Sequence, residues 1–184
     1  MLKIVGVGIC DGQITERAAK IISEAEVVFG SKRAISLASK YIRGKIFEIK
    51  KFEKEVYSEI EKIGAEKNVV VLSTGDPMVA GLGSKIRGTV EPGISSVQMA
   101  LAKVKEDLCN VVVIDAHAKS AENEFDLIDR KNLLILADKN FDPSVFGKKR
   151  AALIENICGN ERFVLGRAED LEIRSDYVIV FVWR

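Results

Sequence analysis

The chain alternates short unbroken apolar runs with longer stretches in which apolar side chains recur every three or four positions. Residues 2–9, LKIVGVGI, read as a buried strand ending in glycines. Thr15 is a candidate N-cap for a helix in which Ala18, Ala19, Ile22 and Ala25 fall at helical spacing. Val27, Val28 and Phe29 form a second strand stopped by Gly30, and Ser31 caps a second helix bearing Ile35, Leu37 and Ala38. A third strand lies around Ile46, Phe47, Glu48 and Ile49. Residues 53–67 place Val56, Ile60 and Ile63 among Glu and Lys, the pattern of an amphipathic surface helix. Residues 69–72 are Val and Leu without alternation, the habit of a strand buried on both faces in a parallel sheet. Residues 78–87 are small and apolar and predict one further helix.

Residues 89–91 predict a brief strand, and 96–105 a helix with Val97, Leu101 and Val104 on one face. A polar break at 107–110 marks a domain boundary. Strands are expected at 111–114, 133–137, 163–165 and 177–182, and a helix from Asp142-Pro143 to about residue 157, closed by Gly159. The linker 166–176 is too short for a helical crossover and favours antiparallel pairing in this half. The fold class is therefore α/β, in two α/β domains. Residues 1–108 carry a mostly parallel sheet of about five strands and 109–184 a mixed sheet, with a cleft between them as the default site.

Composition narrows the function. With 47% hydrophobic and 30% charged residues in 184, the chain has a globular balance. A net charge of +1 argues against a nucleic-acid surface. No apolar run approaches a membrane span and no signal pattern opens the chain, so no membrane partner and a cytoplasmic setting are expected. Cys10, Cys109 and Cys158 lack CxxC spacing, and with His117 as the sole histidine they form no metal motif; reduced thiols and no metal are expected.

The candidate chemistry lies at strand ends. Strand 69–73 stops at Ser73-Thr74-Gly75-Asp76-Pro77, a loop with a turn-forming Gly, one carboxylate and several backbone groups, where ligands bind in open α/β sheets. The segment also reads as a plain turn with an Asp cap. Pro92-Gly93-Ile94-Ser95-Ser96 is a second such turn, in which Ser95 or Ser96 caps the next helix. Gly6 and Gly8 make a GxG, but Asp11 stands where a dinucleotide fingerprint needs its third Gly. His117, just past a strand end, is either a ligand contact or plain surface.

Four segments in this order, VGVGICDGQIT at 5–15, STGDPMVAG at 73–81, VEPGISSVQMALA at 90–102 and LLILADKN at 133–140, resemble the tetrapyrrole methylases. These are S-adenosylmethionine-dependent enzymes of the corrin and sirohaem pathways, a family that includes diphthine synthase. The likeness runs closest to the stand-alone corrin-ring methylases. It implies methylation of cobalt-precorrin-7 at carbon 5, in the anaerobic route to cobalamin. It further implies S-adenosylmethionine held between the domains, and released as S-adenosylhomocysteine, by positions matching Ile9, Gly75, Asp76, Pro77, Met78, Val79, Gly81, Ser95, Ser96 and Ala137. His117 and Lys119 match the family's substrate turn. Arg33, Lys85 and Arg87 are further candidate contacts for a polycarboxylate corrinoid, against their ordinary reading as surface cations. The resemblance also implies a homodimer and a separate decarboxylating methyltransferase in the same pathway, and it assigns no catalytic base. Cys10 stands where members carry a further Gly, the first loop is one residue shorter, and Ala118 and Lys119 replace Gly and Arg. Other readings are a methylase for another ring carbon, diphthine synthase, or a non-catalytic nucleotide-binding module.

Overall fold

The structure is a computed structural model that describes residues 1–117 and 120–184; Lys119, a proposed substrate contact, lies outside them. Its backbone contacts divide the chain into two compact units, Met1–Ser95 and Ser96–Arg184.

The first unit holds β1 (Leu2–Gly6), α1 (Glu16–Ser23), β2 (Val27–Gly30), α2 (Lys32–Ala38), β3 (Lys45–Glu48), α3 (Lys54–Glu66), β4 (Val69–Ser73) and β5 (Thr89–Glu91). The strands form one parallel sheet in the order β3-β2-β4-β1-β5. All of β4 is buried because successive side chains enter two different cores. Val69 and Val71 join Ile4, Val27 and Phe29 beneath Tyr57 and Ile60 of α3. Val70 and Leu72 join Val5 and Val28 beneath Ala18 and Ile22 of α1 and Ala34 and Ala38 of α2. Helix starts obey the local chemistry: Thr15 Oγ1 accepts from the Ala18 amide, and Ser31 Oγ from the Ala34 amide.

The helix expected over 78–87 is absent. The segment folds in turns and bends over Pro77, and the Gly83 amide donates to the Pro77 carbonyl at 2.8 Å. Leu82 and Ile86 imitate helical spacing, but both descend into the core beneath α3.

The second unit holds α4 (Ser96–Val104), β6 (Val111–Asp115), β7 (Asn132–Ala137), β8 (Arg150–Glu155), β9 (Arg162–Arg167) and β10 (Val178–Val182). The sheet order is β6-β7-β10-β8-β9, parallel at β6–β7 and antiparallel elsewhere. One face packs Ile114, Leu133, Ile135, Leu153 and Val180 against Ile128, Phe146 and Leu171 of the connecting segments. The helix expected from Asp142 to about residue 157 is replaced by a four-residue 3-10 turn, Pro143–Phe146, and by β8. The antiparallel pairing is present, yet β9 and β10 are not neighbours, because β8 lies between them. The division after Ser95 counts α4 with the second unit, where Lys103 pairs with Glu161 at 2.7 Å and Glu106 accepts from the Trp183 indole at 2.9 Å. Cys109 is a free, exposed thiol. Among the described residues no helix is long and apolar enough to cross a membrane.

Candidate functional site

Adjacent strands β4, β1 and β5 end level with one another, Gly6 opposite Ser73 and Val5 opposite Glu91. Their three following loops therefore leave the same edge of the sheet. The first two interlock: the Gly75 amide donates to the Gly8 carbonyl at 2.8 Å, and the Gly8 amide to the Gly75 carbonyl at 3.3 Å. The third closes on both. A Cβ at Gly6 would lie 2.6 Å from the Gly93 nitrogen and 2.7 Å from the Gly75 carbonyl oxygen. Backbone rests on backbone here, and only glycine at these positions leaves the room.

Asp76 fastens the second loop to the third. Its Oδ1 accepts from the Met78 amide at 2.7 Å and its Oδ2 from the Gly93 amide at 3.0 Å. In the first loop Gln13 Oε1 accepts from the Ile9 and Cys10 amides at 2.9 and 3.1 Å. Four amides at this edge are thus committed to two side chains of the chain itself. Beneath them the buried Glu91 carboxylate meets Arg17 Nε at 2.9 Å.

The structure brings together Ile9, Gly75, Asp76, Pro77, Met78, Val79, Gly81 and Ser95. Ile9, Gly75, Pro77 and Ser95 are buried, Met78 is 60% exposed, and Asp76, Val79 and Gly81 are half-buried. Ser96 opens α4, Ala137 closes β7, and the exposed His117 follows β6; these three belong to the second unit. The His117 amide donates to Asp115 Oδ1 at 3.2 Å. Arg33, a candidate substrate cation, donates from Nη2 to the Ile9 carbonyl at 3.1 Å. Lys85 and Arg87 are exposed, and the Arg87 amide donates to Glu61 at 2.8 Å. Gln13 and the contact between Gly6 and Gly93 escape a sequence reading, because only the folded loops show that they meet. A pocket of about 300 Å³ opens between the first loop, at Asp11, Gly12 and Ile14, and the end of α2, at Ser36, Lys40 and Tyr41. Among the described residues no three His, Cys, Asp or Glu side chains gather as a metal-holding group.

Chemically the loop cluster offers a carboxylate, apolar surface from Ile9, Pro77 and Val79, and backbone at close range. This suits a ligand with an apolar body and positive charge. It suits a phosphate poorly, because a phosphate grip needs the amides that Asp76 and Gln13 already hold.

Residues 1–168 match the family model described as tetrapyrrole (corrin/porphyrin) methylases. The probable cobalt-precorrin-7 C(5)-methyltransferase of Methanocaldococcus jannaschii is 36% identical over 163 residues, spanning 79% of this chain and 70% of that one. The crystal structure of a cobalamin biosynthesis precorrin-6Y methylase from Archaeoglobus fulgidus superposes with a TM-score of 0.88 at 45% identity, covering 100% of this chain and 98% of that one. A uroporphyrin-III C-methyltransferase from Thermus thermophilus, complexed with S-adenosylhomocysteine, shares the fold: its TM-score is 0.76 at 18% identity, over 98% of this chain and 96% of that one.

Proposed function

The chain belongs to the tetrapyrrole (corrin/porphyrin) methylases, and from that premise we propose that it methylates carbon 5 of cobalt-precorrin-7, using S-adenosylmethionine, on the route to cobalamin. The observation that carries the cofactor reading is the Asp76 clasp, a carboxylate with one oxygen on an amide of its own loop and the other on an amide of the third loop. It places a fixed negative charge at a strand end and withholds two amides from any anion. The substrate reading is supported by the likeness to relatives named for this corrinoid chemistry.

The residues present fit the donor. Bound S-adenosylmethionine supplies an electrophilic methyl group on a sulfonium. Asp76 favours the cationic part of such a molecule. Ile9, Pro77 and Val79 supply apolar contact, and the glycine contacts bring backbone close enough for recognition by carbonyls and the remaining amides. Ser95, Ser96 and Ala137 complete the set proposed to hold the donor. A carbon of a reduced corrinoid is already electron-rich, so no strong base is assigned, and rate comes from holding the reacting atoms in line. His117 and Lys119 are proposed to meet the carboxylate periphery of the substrate. The same reading includes a homodimer, a cytoplasmic setting and a separate decarboxylating methyltransferase alongside.

The test is incubation with isotopically labelled S-adenosylmethionine and cobalt-precorrin-7, with mass spectrometry of the corrinoid and carbon NMR of the product. One added methyl at carbon 5 is expected. A methyl at another carbon moves the chain to another branch of the family. Tight nucleotide binding without binding of S-adenosylhomocysteine overturns the enzyme reading altogether. Light scattering reports whether the 20.3 kDa chain pairs.

A further inference from the structure

We propose that Gln13 and Arg33 are positioning residues that hold the Ile9–Cys10 backbone in the shape that receives the methyl donor. What the loop receives rests on the methyltransferase reading above; how the loop is held rests on the geometry alone. Two successive amides, Ile9 at 2.9 Å and Cys10 at 3.1 Å, point at one oxygen, Gln13 Oε1. Successive N–H groups converging on one acceptor form a nest, an arrangement that grips anions in phosphate sites. Here the chain fills its own nest with a neutral amide oxygen.

Each neighbouring residue makes this possible. Gly8 sits at φ +71°, and a Cβ there would lie 2.5 Å from Gln13 Cβ, so the absent side chain is the space that Gln13 occupies. The turn closes when the Gln13 amide donates to the Cys10 carbonyl at 3.3 Å. From α2, Arg33 Nη2 reaches the Ile9 carbonyl at 3.1 Å. The Ile9 amide and carbonyl are therefore both held by side chains. The Ile9 side chain faces the second loop, with Cγ2 3.3 Å from where a Gly75 Cβ would lie. Removing Gln13 frees two amides and lets the loop sample other shapes. Donor binding then bears the cost of ordering it.

Because their nest is filled, the Ile9 and Cys10 amides are withheld from a nucleotide phosphate. Gln13 thus sets selectivity as well as shape. Neither residue touches the reacting atoms, so the loss falls on binding rather than on chemistry.

The experiment compares wild type, Gln13→Ala, Gln13→Glu and Arg33→Ala as full-length chains in one reductant-free buffer. It measures amide hydrogen exchange at residues 9–10, S-adenosylhomocysteine affinity by calorimetry, and KM and kcat for S-adenosylmethionine. Gln13→Ala should expose both amides to exchange, and should weaken binding and raise KM about tenfold with kcat changed far less. Gln13→Glu restores the acceptor and should recover protection and most of the affinity. Arg33→Ala should weaken binding without exposing the two amides. Exposed amides with unchanged affinity overturn the proposal, as does a loss of affinity that tracks melting temperature and is not recovered by Gln13→Glu. If wild type binds no S-adenosylhomocysteine, the methyltransferase reading falls instead, while the exchange data still decide whether Gln13 holds the loop.

Discussion

Asp76 is the residue at which sequence and structure give different reasons for the same importance. Read from the chain, it is a carboxylate in a turn, facing a ligand or capping a helix. In the fold no helix follows, and both oxygens accept amide hydrogens, one of them from a loop 17 positions away in sequence. The role proposed for it toward a donor is therefore joined to a structural one. Asp76→Ala should weaken S-adenosylhomocysteine binding about tenfold, because two amides lose their acceptor and a favourable charge disappears. Calorimetry measures this, and unchanged affinity would refute the clasp. A second residue-scale prediction concerns Cys109. A hydrogen bond to Asp107, together with that residue's charge, holds this exposed thiol above its ordinary range. A raised thiol pKa leaves less thiolate at a given pH, so Cys109 should be alkylated more slowly than a free cysteine at about pH 8. Asp107→Asn should speed the reaction, as maleimide labelling followed by mass spectrometry will report.

Among the elements, two segments expected as helices fold otherwise, for different reasons. Residues 78–87 carry apolar side chains four apart, but glycines at 81 and 83 let the segment wrap Pro77, and a single turn of helical hydrogen bonding survives, from the Ile86 amide to the Leu82 carbonyl at 3.3 Å. Residues 150–155 are a short apolar run of the kind that suits a buried helix or a buried strand equally. Pairing decides it, since β8 is held on one side by β10 and on the other by β9. At its end Glu155 is fully buried, with Oε1 accepting from the Arg174 and Ser175 amides at 2.5 and 2.9 Å and Oε2 from Arg162 at 2.6 Å. Glu155→Ala leaves these donors without their acceptor and should cost about 3–5 kcal/mol. Chemical denaturation measures it; a cost under about 1 kcal/mol, the level of a surface pair, would show that the buried hub is not needed. Thr15 and Ser31, by contrast, cap the helices expected of them, because capping is chemistry between near neighbours in sequence.

Across the whole molecule, the parallel sheet of the first unit ties stability to the site. Ile4 is fully buried in β1, the strand that ends at Gly6 and flanks both β4 and β5. Ile4→Ala should cost about 2–5 kcal/mol by thermal or chemical denaturation. A negligible cost would mean that this core collapses around the gap. The alternation of apolar runs and helical spacings determined the α/β class and the strands of the parallel sheet, because burial on two faces leaves its mark residue by residue. The GDP and PGISS segments carried the family likeness for the same reason: a turn's glycine, proline and carboxylate are local requirements. Tertiary structure alone decided the strand order, the fate of residues 150–155, and the meeting of Gly6 with Gly93, of Asp76 with Gly93, and of Arg33 with Ile9. Those contacts join positions far apart along the chain, and no spacing rule records which distant backbone a side chain will reach once the sheet has closed.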